Sequence, residues 1–296
     1  MHTLEPLKKL YERLILILSY KNDAKNLASA RNRHLHQLLN DPDNPLPKDS
    51  FISGMNFFYG DPLTGNKIFY GAIKKDVEKE IQSLQLHQNK QYQWLLAEAY
   101  EEYEDFLELI YATAAFLDPN FWPLSHYGNN RLEDLKGRTL EWYLSIVKNS
   151  ANRITPEKIL ANFRKYLPEF EEAERNNKCG YDLRFRIALI TQTRHHIVHT
   201  GGTVGNREAF SEKIINASIR PSEDKVAELR YEINSLFGLI PPYDNIITLL
   251  EQEIDSESRI PIYHDVMENY CRDLLSSAHL ITYSLKVHLE RLKDAG

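Results

Sequence analysis

Apolar residues recur at three- and four-residue steps along most of the chain, the repeat of amphipathic helices rather than of strands. Leu7, Leu10, Leu14 and Ile17 open the first stripe and predict a helix running to about Leu39. Pro42, Pro45 and Pro47 end it, because proline lacks the amide hydrogen a helix needs and clashes with the preceding turn. From Phe51 to Phe69 the helical period gives way to aromatics and glycines, so an ordered loop with a short strand is expected there. Tyr92, Leu96, Ala99, Tyr103, Phe106, Ile110 and Ala114 then line one face of a long helix. Its expected span is about Lys74 to Phe116, with a break near His87 to Lys90 and a stop at Asp118-Pro119.

The remaining segments read the same way. A helix is expected around Leu132 to Lys148. Thr155 and Pro156 predict the start of another, as N-cap and first helical residue. A helix from about Asp182 to His199 stops at Gly201-Gly202. Arg207 to Ala217 and Ser222 to Leu236 follow, the latter with Ser222 as its cap. Pro241-Pro242 interrupts the chain. A last helix from near Pro261 carries Val266, Tyr270, Leu274, Ser277, Ile281 and Leu285 on one face. The pattern holds no internal repeat, and predicts an all-α helical bundle.

Composition narrows the classes. The 296 residues are 42% hydrophobic, enough for one large domain or two small ones. A formal net charge of -6 excludes a generic polyanion binder and confines any nucleic-acid contact to a local basic patch. Cys179 and Cys271 are far apart and lack metal-ligand spacing, which fits a reducing cytoplasm and argues against a disulfide scaffold. The apolar run Leu14 to Leu18 is too short to span a bilayer, and the N-terminus has no signal-peptide pattern. A cytoplasmic protein without a membrane partner is expected.

The segment with the most chemistry is Thr193-Arg194-His195-His196-Ile197-Val198-His199-Thr200-Gly201-Gly202. Leu183, Ile187, Ile190 and Arg194 share one helical face, so Arg194 extends an apolar stripe and needs an anionic partner. Glu98, Glu101 and Glu102 are candidates for it. His199 lies five residues on, roughly 140° around an ideal helix. The two side chains converge only if the last turn unwinds, or if a second copy of the chain supplies the opposite pair. His199 sits at the negative end of the helix macrodipole, a place that suits a cation. Arginine can neutralise a phosphodiester, and histidine can move the proton of a ribose 2′-hydroxyl. Such a site needs neither metal nor cofactor, and takes RNA rather than DNA.

Arg194-His195-x-x-x-His199, followed by Thr-Gly-Gly on a late helix of an all-α chain, resembles the R-(polar)-x-x-x-H motif of the HEPN superfamily. The helix from Trp94 through Tyr103 to Phe106 is similar to the first core helix of many members. The resemblance covers about residues 70 to 290 in architecture and about ten residues in sharp motif. It implies an HEPN-like domain over residues 71–296, after an N-terminal helical extension and loop over 1–70. It further implies a homodimer with a composite active site, cleaving RNA in a toxin or antiviral defence system, with an antitoxin or defence protein as partner. Arg194 and His199 map to the catalytic pair and His195 to the supporting polar position, without cofactor. Some members do not cleave RNA, so a non-catalytic module that binds RNA, nucleotide or protein is the alternative.

Arg186 and Arg207 flank the motif and are expected to guide the RNA backbone, with Arg184 beside them. Tyr127 and Tyr181 are candidates for base stacking. The competing reading of Arg194 is a structural ion pair within a helical scaffold, and that of His199 a cap for terminal carbonyls. His196 falls on the face of Phe185 and Leu189 and is expected to pack. Zinc on His195 and His199 would lack a nearby glutamate or cysteine partner. Arg31 to His36 repeats the same pattern on the first helix, but without a Gly-Gly stop, and reads as a solvated basic face.

Overall fold

The computed structural model describes residues 4–43, 50–128, 130–149, 154–218, 223–240, 242–255 and 262–295. Helices account for 67% of the chain and strands for 9%, so the fold is all-α in class, with two small β-hairpins set on it. The first helix, α1 (Leu4–Leu39), has the predicted extent. β1 (Ser53–Gly60) and β2 (Lys67–Lys75) form an antiparallel hairpin where a loop with one short strand was expected. Its aromatic and β-branched residues alternate between faces, a period of two that a search for helical repeats does not register.

The long second helix, α2 (Val77–Leu117), starts three residues later than expected. Lys74 and Lys75 belong to β2, and Asp76 caps the helix by accepting from Lys79 N at 2.8 Å. It is not broken near His87–Lys90. The polar Asn89 there is buried and holds a distant segment instead. Its Nδ2 donates to the Ile247 carbonyl (2.9 Å), and its Oδ1 accepts from Leu249 N (2.8 Å).

The helix expected at Leu132–Lys148 is split. A 3-10 turn at Leu132–Leu135 is separated from α3 (Leu140–Val147) by Gly137 at φ 79°. α4 (Pro156–Tyr166) opens on Thr155 and Pro156 as the pattern requires, and α5 (Pro168–Ala173) follows. Then come α6 (Leu183–Thr200), α7 (Arg207–Ala217) and α8 (Glu223–Asn234). The expected cap Ser222, Pro241 of the chain break and Pro261 lie outside the described residues. β3 (Glu251–Asp255) and β4 (Ile262–Asp265) make the second hairpin, also unforeseen. It delays the last helix, α9 (Val266–Ala295), whose first turn Asp265 caps by accepting from Glu268 N at 3.0 Å.

The stripes read from the sequence form the core. Tyr92, Leu96, Ala99, Tyr103 and Ile110 of α2 are fully buried, with Leu274, Ile281 and Leu285 of α9 and Ile190 of α6. Tyr111, Phe121, Trp122 and Phe163 pack their rings around the far end of α2. Leu10, Leu14 and Ile17 of α1 join the same core rather than a separate one. α1 is also pinned by charge. Lys21 is buried, bonded to Asp265 and 3.3 Å from Glu251, which in turn pairs with Lys25 at 3.1 Å. Burial pulls the Lys21 pKa down, but the two carboxylates more than reverse this and hold it above the ordinary lysine value. Among the described residues, no helix is long and apolar enough to cross a membrane.

Candidate active site at the end of α6

α6 is built as the sequence suggests. Asp182 caps its start by accepting from Phe185 N at 3.0 Å. Leu183, Ile187 and Ile190 are buried on one face. Gly201 closes the helix at φ 65°, and the amides of Gly201 and Gly202 both donate to the His196 carbonyl. The last turn is therefore intact and does not unwind at Thr200-Gly201. The unwinding that would bring Arg194 and His199 together within one chain is thus not seen.

The Gly-Gly stop is packed as well as turned. Gly202 has φ 85°, and a Cβ there would lie 2.3 Å from Gln93 Nε2. Gln93 is fully buried and donates to the Ile247 carbonyl at 2.8 Å. Ile247 N donates to the Gly202 carbonyl at 2.9 Å. Lys90 donates to the Gly201 carbonyl at 2.6 Å, placing a cation on the helix C-terminus, where the macrodipole favours one. So α2 and the segment around Ile247 fix the position at which the histidine turn ends.

Within one chain the motif splits into two directions. His195 and His199 are exposed, one turn apart, with ring centroids separated by 4.5 Å. Partial desolvation, then the nearby His199, Lys213, His196 and Arg194, lower the His195 pKa below the ordinary histidine value. Arg194 turns toward α2. Its guanidinium lies over the Tyr100 ring at 5.6 Å, and its Nη2 is 3.6 Å from Glu101 Oε1. Glu101 is thus the partner among the three glutamates considered. It is mostly exposed and the separation is long, so the pair contributes little. Arg194 Nε is buried without a hydrogen bond. His196 packs against Phe210, centroids 5.2 Å apart, as its position on the helix predicts.

The flanking residues are committed elsewhere. Arg186 pairs with Glu232 at 2.5 Å. Arg207 donates to Asn245 Oδ1 at 3.1 Å and to the Asp244 carbonyl, with its guanidinium 4.7 Å from the Phe237 ring. Neither of these contacts leads to the histidine pair. Arg184 donates to the Ala217 carbonyl at 3.1 Å. Tyr127 is buried and donates to the Pro119 carbonyl at 2.8 Å, which removes it as a base-stacking surface. Tyr181 borders an apolar groove of about 690 Å³ that Leu4, Tyr11, Leu275 and Leu280 also line, and that the motif does not enter. On α1, Arg31 of the repeated pattern lies 3.8 Å from Glu80.

The sequence reading passed over Lys90, Gln93 and Lys213. Lys90 and Gln93 lie on α2 more than a hundred positions from the motif, and no local spacing marks them. Lys213 lies on α7, and its link to His195 depends on how α7 packs. Behind the motif, Glu232 and Asp273 are carboxylates whose pKa burial raises against the opposing pull of Arg186, Asp273 to about 6. Asp273 Oδ2 is buried there without a hydrogen-bond partner, close to the Tyr270 hydroxyl, which faces Thr193. Among the described residues, no three His, Cys, Asp or Glu side chains are grouped to hold a metal. No protein-family model, curated protein or solved structure matches this chain.

Proposed function

We propose that this protein is a metal-independent endoribonuclease of HEPN type, acting in the cytoplasm as a homodimer in a toxin or antiviral defence system. The observation that carries the reading is the exposed pair His195 and His199, rings 4.5 Å apart, on an intact helix end. Two adjacent imidazoles can serve as base and acid in one displacement. His195, its pKa lowered, is neutral at neutral pH and suited to take the proton of the ribose 2′-hydroxyl. The 2′-oxygen attacks phosphorus, the bond to the 5′-oxygen breaks, and His199 delivers a proton to that leaving oxygen. The products are a 2′,3′-cyclic phosphate and a 5′-hydroxyl. Arg194 neutralises the charge that builds on the phosphoryl oxygens.

In this reading the complete site takes Arg194 from one protomer and the imidazoles from the other. What supports it is that, with the last turn closed, Arg194 turns toward Tyr100 and Glu101 while His195 and His199 are exposed. The pair with Glu101 is long and its carboxylate is mostly exposed, so the guanidinium can exchange that partner for a phosphate. The test is cleavage of structured and unstructured RNA in excess chelator by the wild type and by His199→Ala. Cleavage that survives chelation and vanishes in the variant supports the reading. Equal activity in both, or no cleavage of any RNA by the wild type, overturns it.

One observation favours a second reading. Arg194 stacks on Tyr100 and faces Glu101 within its own chain, as it would in a non-catalytic helical module. In that case Arg194→Ala lowers thermal stability or alters binding, while no cleavage is seen with either protein.

A further inference from the structure

The β1–β2 hairpin leaves the described side chains from Gly54 to Gly60 exposed, and most of β2 as well. Its register sorts them into two faces. Met55 pairs with Ile73, Phe57 with Gly71 and Tyr59 with Ile68. Directly opposed residues share a face. The bulge after Phe57 leaves Tyr70 as the extra residue, and its ring meets Phe57 edge-on at 6.2 Å. One face therefore carries Met55, Phe57, Tyr59, Ile68, Tyr70 and Ile73, which are between 37% and 79% exposed. Lys75, in register at its base, is half-buried and 3.6 Å from Glu80. The lysines Lys67 and Lys74 belong to the opposite face, with Asn56, Ala72 and the Phe58–Phe69 pair.

A two-stranded sheet bare on both faces is marginal in water. Six side chains of this size, about half uncovered, present on the order of 700 Å² of mainly apolar surface. That is close to the ~800 Å² per partner of a stable interface. Charge decides what covers it. A nucleic-acid chain needs cations on the surface it meets; here Lys67 and Lys74 lie on the other side, and Lys75 at the base is paired with Glu80. Two copies of this chain, each with a net charge of -6, repel over most approaches. This face carries no carboxylate, so two copies meeting through it about a two-fold axis set no negative charges against each other there.

We infer that the Met55–Ile73 face of the hairpin is a self-association surface that packs against the same face of a second copy. The two sheets lie face to face, with Phe57 and Tyr70 at the centre of the contact, where aromatic anchors dominate binding. This inference does not rest on the ribonuclease reading.

The experiment is sedimentation of the full chain from about 1 to about 100 µM, the range of weak to moderate dimers. The wild type is compared with Phe57→Ser/Tyr70→Ser and with Leu63→Ser, an apolar residue at the hairpin tip that is barer than either. The expected result is a wild type that associates by one step more than the double variant (dimer against monomer, or a larger assembly against a dimer where the motif at the end of α6 also pairs copies), with the constant for that step raised roughly 100-fold or more and no change in Leu63→Ser. Far-UV circular dichroism is expected to be the same for all three, because the side chains removed are exposed. A monomeric wild type overturns the inference. So does a double variant that assembles as the wild type does, including one that loses only RNA binding, or an equal loss in Leu63→Ser.

Discussion

The ring centroids of His195 and His199 lie 4.5 Å apart across one closed turn of α6, so a proton site on one is coupled to the charge of the other. If the pair works as base and acid, each imidazole contributes about 10² to 10⁴ in rate. His195→Ala and His199→Ala are each expected to cut RNA cleavage at least 100-fold at pH 7. The double variant is expected to be little worse than either single one, since both act in one displacement. Single-turnover cleavage of an end-labelled RNA measures this. Multiplying losses would mean the two histidines act independently.

The lowered pKa of His195 fixes the acid limb of the rate profile. Protonation disables a base, so activity is expected to fall with decreasing pH only below the ordinary histidine value of about 6.5. Removing its neighbour in His199→Gln takes away one source of repulsion and moves the His195 titration upward. Chemical shifts of the His195 ring followed by NMR against pH report that movement in the absence of substrate. A His195 titration already above the ordinary value in the wild type would contradict the base assignment.

Arg194 separates the catalytic and structural readings. Its ion pair with Glu101 is long and solvent-screened, so Glu101→Gln is expected to leave the melting temperature nearly unchanged. Arg194→Ala is expected to abolish cleavage, and to lower stability by only about 1 kcal/mol through lost packing on Tyr100. Arg194→Lys keeps the charge without the planar fork, and is expected to restore little activity. Thermal melts run beside cleavage assays distinguish the cases. A large drop in melting temperature, with no activity in any variant, would make the residue a strut.

Gly202 is expected to be the least replaceable residue of the turn. Alanine would adopt a left-handed backbone and press its Cβ into the buried Gln93 amide. The cost is on the order of 2 kcal/mol or more. Gly201→Ala meets Lys90 only at 3.3 Å and is expected to cost about 1 kcal/mol. Urea denaturation of both variants, and of Gly202→Ala with Gln93→Ala, measures the difference. The double variant is expected to recover part of the loss, because the steric share of the cost ends at the Gln93 side chain.

Asp273 gives stability a pH signature. Its folded pKa of about 6 lies above the ordinary carboxyl value. Between that pKa and about 4 the folded state binds the extra proton, so this residue's contribution improves as pH falls and is lost as pH rises through about 6. The swing is on the order of 3 kcal/mol. Asp273→Asn is expected to raise the melting temperature at pH 8 and to leave it nearly unchanged at pH 4. Differential scanning calorimetry across that range checks the sign.

Helix existence was legible because stripes such as Tyr92–Ala114 and Val266–Leu285 repeat a 3.6 period over many turns. The motif helix was legible to within a residue at either end, since Asp182 and Gly201-Gly202 are strong punctuation. The two hairpins were not. Ser53–Lys75 alternates with a period of two, and Glu251–Asp265 is too short and polar to stand out. His87–Lys90 read as a helix break because these four consecutive polar residues carry no apolar repeat, yet Asn89 among them is buried. Its partners Ile247 and Leu249 lie far along the chain. The same limit hid Lys90 and Gln93, whose part in setting the helix end follows from packing alone. Arg186 and Arg207 looked free because their partners Glu232, Asp244 and Asn245 come from later segments.

The buried ammonium of Lys21 ties the first helix to the second hairpin and, through Asp265, to the cap of the last helix. Trimming the chain to begin at Val77 would strand Glu251 and Asp265 without their counter-ion and strip Leu10, Leu14 and Ile17 from the interior. Such a fragment is expected to be insoluble or molten rather than a minimal catalytic unit. Lys21→Met, which keeps the volume and removes the charge, would show how much of that dependence is electrostatic.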